Sequence, residues 1–422
     1  MNTQEEQRLQ TFVNGTPLDV DPRSIDRELT ALWAAARTGV EPSKAVVRFS
    51  ILNLIVMARN SQQLEPLTSQ IIDLTMKHPC RAILLVNEGG EGASTVKATV
   101  AAHCRLPVGG GMPVCGEQIN ITASGGDAAA ILPGTVIPLL TSDLPVALGW
   151  PDWPSGALAA DGWSLDPALF TPLLQSADHL IVDSMRFGKP NSNLVRLEAL
   201  HEQDYPSIAI TDLNWLRLLT WRQLTAQVFD SPSLRSYLPN LSKITVRYVV
   251  QDDRPLNPCQ ALLYLGWLSD KMSWRPSEIS PQESGNSAIT LRSSTGSQLY
   301  AGVLTTAADN IWAGDIAEVV MEGSYNGVAA TFTLERIAFD EQPQADGSKP
   351  PAEHIRTIIE VQGQNRIERV VPLGKQAWAQ LVGNALGNLG HDSAFEQALQ
   401  MAVWMSSTTG TKKVDKGVRG GR

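Results

Sequence analysis

Short apolar runs alternate with amphipathic segments through the first half of the chain. A short apolar run between turn signals is typical of a buried strand, whereas apolar residues three and four apart predict a helix. These patterns predict a buried strand at Arg81–Asn87, further strands at Ala45–Ala58, Leu144–Leu148 and His179–Asp183, an extended segment at Ile208–Thr211, and exposed or edge strands at Thr95–Ala102 and Gln118–Thr122. They predict helices at Asp21–Gly39, Gln63–Lys77, Ala128–Leu140, Ala168–Ser176 and Ser192–Glu202. This alternation indicates a mainly parallel sheet with flanking helices.

The pattern changes beyond Pro239, where strand-like runs follow one another with short glycine-containing turns. Strands are predicted at Ile244–Val250, Ser287–Leu291, Gln298–Leu304, Ala317–Glu322, Ala329–Ile337 and Arg356–Gln362, helices at Cys259–Met272, Lys375–Leu386 and Phe395–Met405, and a loop at Gln342–Pro351. The spacing favours an antiparallel meander. The expected fold class is α/β, with an N-terminal α/β domain at 1–238, a C-terminal α+β domain with an antiparallel sheet at 239–410, and a disordered basic tail at 411–422.

Residues Thr211–Asp230 (TDLNWLRLLTWRQLTAQVFD) are predicted to form one helix in which arginines stand among large apolar side chains. Asp212 fits the N-cap position, because its carboxylate can accept backbone N–H groups of the first turn. A helical wheel places Arg222 within one apolar face and Arg217 within a second. A helix that is apolar on most sides is packed on most sides. Each guanidinium is therefore expected to meet a carboxylate, a phosphate or a partner protein.

Composition narrows the classes of function. The 422 residues are 43% apolar and carry a net charge of -9, which argues against a nucleic-acid binder with a broad basic surface. The start of the chain lacks the basic and apolar segments of a secretory signal. The apolar run Ser50–Ala58 is too short to span a bilayer. We therefore expect a cytoplasmic protein with reduced thiols and no membrane partner.

Motifs for cofactors and metals are weak, so neither is expected. The glycine clusters at 89–92 and 109–111 fit no nucleotide-binding pattern and favour flexible connections. His78, Cys80, His103, Cys104 and Cys115 gather in one stretch but lack the usual zinc spacing. Cys80 precedes an apolar strand and is expected to be buried and inert. Cys104 and Cys115 flank a glycine-rich loop and become candidate redox thiols if their Cβ atoms approach within roughly 4.5 Å.

Asp183 is the one candidate catalytic group that the patterns single out. A carboxylate at the carboxyl end of a parallel strand can be catalytic. It is as often a cap or turn residue, and no second acid–base group can be placed beside it from the sequence. No GxSxG nucleophile motif occurs. An α/β enzyme that binds a sugar phosphate or a nucleotide therefore remains the alternative function.

Several motifs, taken in order, resemble one protein family. DLNW at Asp212–Trp215, followed by Trp221-Arg222, resembles a hallmark of the glucose-6-phosphate dehydrogenase assembly proteins called OpcA, of the cyanobacterial type. Four further segments are similar to the family in the same order: HPCRAILL (78–85), LPVALGWPDWP (144–154), ADHLIVDS (177–184) and ALLYLGWLSDKMSW (261–274). The resemblance spans roughly residues 20 to 405.

The resemblance implies a protein without catalytic activity that promotes the active oligomer of glucose-6-phosphate dehydrogenase and raises its apparent affinity for substrate. Such a partner supports NADPH production by the oxidative pentose phosphate pathway. Thioredoxin is a second implied partner, because some members respond to it through C-terminal cysteines. This chain has no cysteine after Cys259, which puts that form of redox control in doubt.

The matched helical motif supplies the candidate partner-binding residues: Asp212, Asn214, Trp215, Arg217, Trp221 and Arg222. Tryptophan and arginine are common anchors of protein interfaces. The same motif can instead hold this protein's own structure together. We expect that internal role for Trp215 and leave an interface role open for Trp221 and Arg222.

Overall fold

The computed structural model describes residues 3–38, 47–58, 60–105, 113–150, 167–252, 254–282, 285–308, 311–339, 352–374 and 377–406. The second glycine cluster, the loop predicted at Gln342–Pro351 and the basic tail lie outside these residues. The chain divides into two compact units. The first comprises Met1–Leu219 with Gly374–Phe395, and the second comprises Thr220–Leu373 with the segment that begins at Glu396. The domain limits expected from the sequence stay predictions.

The first unit is built around a nine-stranded sheet. Its strands are β1 (Leu18–Val20), β2 (Val47–Arg48), β3 (Leu52–Ala58), β4 (Cys80–Gly89), β5 (Thr95–Arg105), β6 (Val114–Ser124), β7 (Val146–Trp150), β8 (His179–Val182) and β9 (Ala209–Asp212). Its helices are α1 (Thr3–Val13), α2 (Ile25–Thr38), α3 (Leu64–Thr75), α4 (Ala128–Val136), α5 (Pro167–Gln175), α6 (Pro190–Ala199), α7 (Leu213–Arg217) and, from late in the chain, α11 (Trp378–Leu386).

The strand order β1-β5-β6-β4-β3-β7-β8-β9, with β2 beside β6, gives a mainly parallel sheet. Pairing is antiparallel only at β1–β5 and β5–β6 among the described strands. The apolar side chains of β3 explain its central place: Leu52, Leu54 and Val56 are buried together with Leu381 and Val382 of α11. This confirms the expected fold of the N-terminal part, because helices cover a sheet whose central strands are apolar on both faces.

Three local predictions in this unit are wrong. Ala45–Ala58 is not one strand, because residues 49–51 separate β2, which pairs with β6, from β3, which pairs with β4 and β7. Gln118–Thr122 does not form an exposed or edge strand, because it lies within β6, between β5 and β4. The Gln118 side chain is buried and contacts His103 Nε2 at 2.9 Å and Thr68 Oγ1 at 2.8 Å, so the sheet interior tolerates its polarity. Residues 211–230 do not form one helix either. Thr211 and Asp212 end β9, and Leu218 separates α7 from the next helix, which begins at Leu219.

The second unit is built around an eight-stranded sheet. Its strands are β10 (Leu241–Val250), β11 (Arg275–Pro281), β12 (Ser287–Arg292), β13 (Gln298–Ala307), β14 (Ile316–Tyr325), β15 (Val328–Phe339), β16 (Ala352–Val361) and β17 (Ile367–Pro372). The remaining helices are α8 (Leu219–Asp230), α9 (Pro232–Arg235), α10 (Cys259–Lys271) and α12 (Ser393–Ser406). Among the described helices of the chain, none is long and apolar enough to cross a membrane.

The order β11-β12-β13-β10-β14-β15-β16-β17 is antiparallel except where β10 pairs with β13. A parallel pair needs a long crossover connection, and α10, β11 and β12 provide it between β10 and β13. A simple meander contains no such crossover. Helices α10 and α12 pack closely at Gly266, where an added Cβ would stand 2.3 Å from the carbonyl oxygen of Ala398. The expected C-terminal antiparallel sheet is confirmed.

Candidate functional site

The parallel strands β8 and β9 bring two acidic residues to the carboxyl edge of the first sheet. Val182 and Asp212 are registered partners, and Asp183 follows Val182 directly. Asp183 and Asp212 therefore lie side by side although they are distant in the sequence. Both side chains are buried, with Asp183 at 1% and Asp212 at 0% exposure. Buried carboxylates require charged or hydrogen-bonding partners.

Asp183 is held by Arg217 through both carboxylate oxygens. Arg217 Nη1 donates to Oδ1 at 2.6 Å, and Nη2 donates to Oδ2 at 2.9 Å. The backbone N–H of Met185 also donates to Oδ1 at 3.3 Å, which makes Asp183 the cap of a short 3₁₀ helix. Two parallel N–H···O bonds fix both position and orientation. The carboxylate predicted for Arg217 is therefore Asp183.

Asp212 joins β8 to the start of α7. Its Oδ1 accepts the backbone N–H groups of Ser184 and Asn214, each at 2.9 Å. Asn214 Nδ2 donates to Ser184 Oγ at 3.0 Å. The two polar residues of the DLNW motif, Asp212 and Asn214, therefore both form hydrogen bonds with Ser184, in the turn after β8. The N-cap predicted at Asp212 is present, although the helix that it caps is the short α7.

Burial, and secondarily the charge of Asp183, raises the pKa of Asp212 to about 6. Asp212 Oδ2 has no hydrogen-bond partner within the described part of the chain. A carboxyl group whose pKa is raised on folding stabilises the fold below its unfolded pKa. This contribution is lost as the pH rises from the ordinary aspartate pKa of 3.8 through about 6.

Substituting Asp212→Asn is expected to change the free energy of unfolding more favourably at alkaline pH than at acidic pH. The amide keeps the Oδ1 acceptor but does not ionise. Between pH 5 and pH 8, the unfolding free energy of the variant should rise by about 1.4 kcal/mol relative to the unsubstituted chain, as one pKa unit requires. Urea unfolding at both pH values measures this difference. Asp230→Asn, at an exposed position of α8, is the control, and an equal response of the two variants would contradict the expectation.

Trp215 is packed inside the first unit. Its side chain is 1% exposed, its Nε1 donates to Asp392 Oδ2 at 2.8 Å, and its ring centroid lies 5.9 Å from that of Phe395. The other oxygen of Asp392 accepts the backbone N–H groups of Ala394 and Phe395 at the start of α12. One carboxylate thus caps a helix and holds the motif's first tryptophan, and the internal role of Trp215 stays a prediction.

Trp221 and Arg222 belong to α8 of the second unit. Trp221 is 1% exposed, whereas Arg222 is half-buried. The carbonyl oxygen of Trp221 accepts from Thr225 Oγ1 at 2.8 Å, and that hydroxyl contacts the Tyr264 hydroxyl at 2.7 Å. Of the six candidate partner-binding residues, Arg217 and Arg222 are partly exposed and the other four are buried. The partner-binding role of the set stays a prediction.

Cys104 and Cys115 face each other across β5 and β6 and form a disulfide, with their Cα atoms 4.0 Å apart. The expectation of reduced thiols is therefore not met at this pair. Cys115 is fully buried. Burial also raises the pKa of the Cys80 thiol to about 12, which fits the inert role predicted for it. A redox role for the bonded pair stays a prediction.

The sequence patterns missed two acidic residues that organise this unit. Asp392 has a local signal, because an aspartate before an apolar helix predicts an N-cap, but nothing local predicts Trp215 as its partner. Glu117 is buried and accepts from Trp33 Nε1 at 2.8 Å, from Arg48 at 2.9 Å and from Arg81 Nε. These partners come from distant segments that meet only in the folded sheet.

Comparison with known proteins places these residues in a family. Residues 72–199 match the family model for the N-terminal domain of the glucose-6-phosphate dehydrogenase subunit, and residues 208–399 match the model for its C-terminal domain. Named relatives are the OxPP cycle proteins OpcA of Nostoc punctiforme, 36% identical over 52% of this chain, and of Synechocystis sp., 32% identical over 50%. The matched stretch covers 43% and 40% of those relatives, so the chain matches less than half of their length.

Solved structures give weaker similarity. A 3-ketoreductase from Actinomadura kijaniata aligns at a TM-score of 0.43 and 10% identity, covering 84% of this chain and 95% of that one. An oxidoreductase from Sinorhizobium meliloti aligns at 0.40 and 8%, covering 84% and 88%. Scores this low carry no inference about the chain. The two consecutive domain matches, together with the three OpcA relatives, place this chain in the OpcA family of glucose-6-phosphate dehydrogenase assembly proteins.

Proposed function

We propose that this protein is an assembly factor and allosteric activator of glucose-6-phosphate dehydrogenase that has no catalytic activity of its own. In this role it supports NADPH production in the oxidative pentose phosphate pathway of the cytoplasm. The observation that carries the proposal is the consecutive match to both domains of the dehydrogenase-associated family, at 72–199 and 208–399. The names of the OpcA relatives, which refer to the same cycle, support it.

The carboxyl edge of the first sheet supports a structural role for the residues there. The enzyme alternative rests on Asp183, and both of its oxygens are held by Arg217. Asp212 Oδ1 accepts two backbone N–H groups, so this oxygen is also engaged. Carboxylates that fix a strand, a turn and a helix start contribute to a rigid scaffold, and a rigid scaffold suits a protein that acts by contact.

Activation requires that the protein bind the active state of the dehydrogenase more tightly than the inactive state. A tenfold gain in the dehydrogenase's apparent substrate affinity corresponds to about 1.4 kcal/mol of coupling free energy. A few contacts that differ between the two states supply a coupling of this size. The proposal therefore needs no catalytic group in this chain.

Adding the purified chain to its cognate dehydrogenase should lower the glucose 6-phosphate concentration that gives half the maximal rate. We expect a decrease of about tenfold, equal to the coupling above. Initial rates across a substrate series, with and without equimolar chain, measure it. An unchanged half-saturating concentration contradicts the proposal. Calorimetry of the chain alone against glucose 6-phosphate and NADP tests the enzyme alternative, which tight binding would favour.

Arg222 offers a direct test of the proposed contact residues. It is half-buried on α8, and its neighbour Gln223 is exposed on the same helix. If Arg222 contacts the dehydrogenase, Arg222→Ala keeps the unfolding midpoint and loses activation, whereas Gln223→Ala keeps both. Loss of the fold in Arg222→Ala would instead assign the residue to the scaffold.

Thioredoxin is proposed as a second partner. The Cys104–Cys115 disulfide supplies the bond that a dithiol protein would reduce, and the half-buried Cys104 is the sulfur open to attack. Cys80 and Cys259 are buried and form no disulfide. Reduction would transfer two electrons from the partner's dithiol, leaving two thiols in this chain and a disulfide in the partner. The bond sits between β5 and β6, so its cleavage would release a link between neighbouring strands.

A further inference from the structure

The sheet of the second unit has two different faces. Alternate residues of its strands, including Ile244, Val246, Val319, Met321 and Phe332, are fully buried. The residues between them point to the opposite face, because successive side chains of a strand alternate. On that face Lys243 and Glu322 have 57% and 42% of their side chains exposed, and Tyr300 is 58% exposed. We call it the open face of the sheet.

A row of uncharged side chains crosses the open face at right angles to the strands. The registered partners that form it are Ala288, Gly302, Thr245, Val320, Thr333 and Ile358, from β12, β13, β10, β14, β15 and β16. Thr245 and Ile358 are only 7% and 8% exposed. Small and β-branched residues give this row a low, even surface, which another sheet can approach closely.

Charged residues flank this row in columns of opposite sign. Strand β10 carries Lys243 and Arg247, and the adjacent strand β14 carries Glu322 and Glu318 on the same face. Lys243 Nζ lies 2.9 Å from Glu322, and Arg247 also pairs with Glu318. A basic column thus lies beside an acidic column. Thr245 lies between the two basic residues, and Val320 lies between the two acidic residues.

These two columns lie at the centre of the sheet, since β10 and β14 are the fourth and fifth of its eight strands. A two-fold axis parallel to the strands and between β10 and β14 would lay β10 of one copy on β14 of the other. Lys243 and Arg247 of each copy would then face Glu322 and Glu318 of its partner. All eight strands would overlap. Such self-complementarity is what a two-fold interface requires.

We propose that the open face binds the open face of a second copy of this chain about that axis. Eight strands about 4.8 Å apart make the face roughly 34 Å wide, and three rows of side chains make it roughly 20 Å tall. The resulting area, roughly 700 Å² per copy, is close to the about 800 Å² per partner of a stable interface. The uncharged row forms the centre, and the charged columns bridge between the sheets.

Charge reversal tests the proposal in the absence of any dehydrogenase, so the result does not depend on the proposed function. One variant carries Lys243→Glu with Arg247→Glu, and the other carries Glu318→Lys with Glu322→Lys. Light scattering after size exclusion should give the unsubstituted chain twice the 45.7 kDa mass of one chain. Each variant alone should have a dimer dissociation constant at least tenfold higher, because like charges then face each other. An equimolar mixture should recover a dimer, since the acidic columns of the first variant then face the basic columns of the second.

Lys97→Glu, on the exposed side of β5, is the control for a change of charge and should keep the dimer. If the double variants fail to fold, the single substitutions Lys243→Glu and Glu322→Lys at exposed positions replace them. A chain that keeps the mass of one copy at 100 μM overturns the proposal, as does a dimer that survives in both variants. A monomer whose variants lose binding to the dehydrogenase also overturns it and assigns the face to the enzyme.

Discussion

Replacing Asp183 with alanine is expected to lower the free energy of unfolding by about 3–5 kcal/mol. The carboxylate is 1% exposed and the Arg217 side chain 15% exposed, so water screens their pairing little. Removing Asp183 takes away both hydrogen bonds to the Arg217 guanidinium and the cap of the 3₁₀ helix that follows β8. Urea unfolding of the variant and the unsubstituted chain measures the difference.

The double variant Asp183→Leu with Arg217→Met is the control. It removes both charges together, and well-packed apolar side chains often replace a buried ion pair with little net loss. It should therefore be clearly more stable than Asp183→Ala. A loss below about 1 kcal/mol for Asp183→Ala would show that the pair contributes no more than an exposed surface pair does.

Replacing Trp215 with alanine is expected to cost about 3–5 kcal/mol of unfolding free energy. The indole is 1% exposed and packs against Phe395, so its loss leaves a cavity that the surrounding side chains fill only in part. Trp215→Phe separates packing from hydrogen bonding. It keeps an aromatic ring and loses the bond from Nε1 to Asp392, which should cost about 1.5 kcal/mol.

The Trp215 pair of variants also distinguishes an internal role from a contact role. If Trp215 has an internal role, Trp215→Phe is less stable than the unsubstituted chain, and Trp215→Ala is less stable still. Activation of the dehydrogenase then falls in proportion to the fraction of the variant that is folded. If Trp215→Ala keeps its stability and loses activation, Trp215 makes an external contact and its burial is not maintained in solution.

The periodicity of the sequence predicts most of the first sheet, because its central strands are apolar runs between turn signals. Strands β4 and β8 extend over nearly the predicted residues, and the antiparallel sheet of the second unit agrees with the pattern as well. Strand β6 differs from its prediction, because Gln118 makes it look exposed. The polar contacts that allow Gln118 to be buried come from His103 and Thr68, and alternation along one strand contains no information about them.

Long-range contacts set the limit of prediction at the site. The sequence indicates that Arg217 needs a carboxylate and that Asp183 ends a strand, yet their pairing depends on β8 and β9 being neighbours. No glycine or proline, the residues that usually indicate a helix break, lies at Leu218 between α7 and α8. The sequence therefore predicts a single helix there. Helix α11 packs on β3 through Leu381 and Val382, and nothing near it in the chain specifies that sheet.

The proposed function requires that this chain bind the dehydrogenase directly. Size exclusion with light scattering, applied to the purified chain, the cognate glucose-6-phosphate dehydrogenase and an equimolar mixture, measures it. We predict that both chains of the mixture co-elute in one peak whose mass exceeds that of the dehydrogenase oligomer alone. Separate elution at the two unmixed positions, at protein concentrations up to 100 μM, would contradict the proposed function.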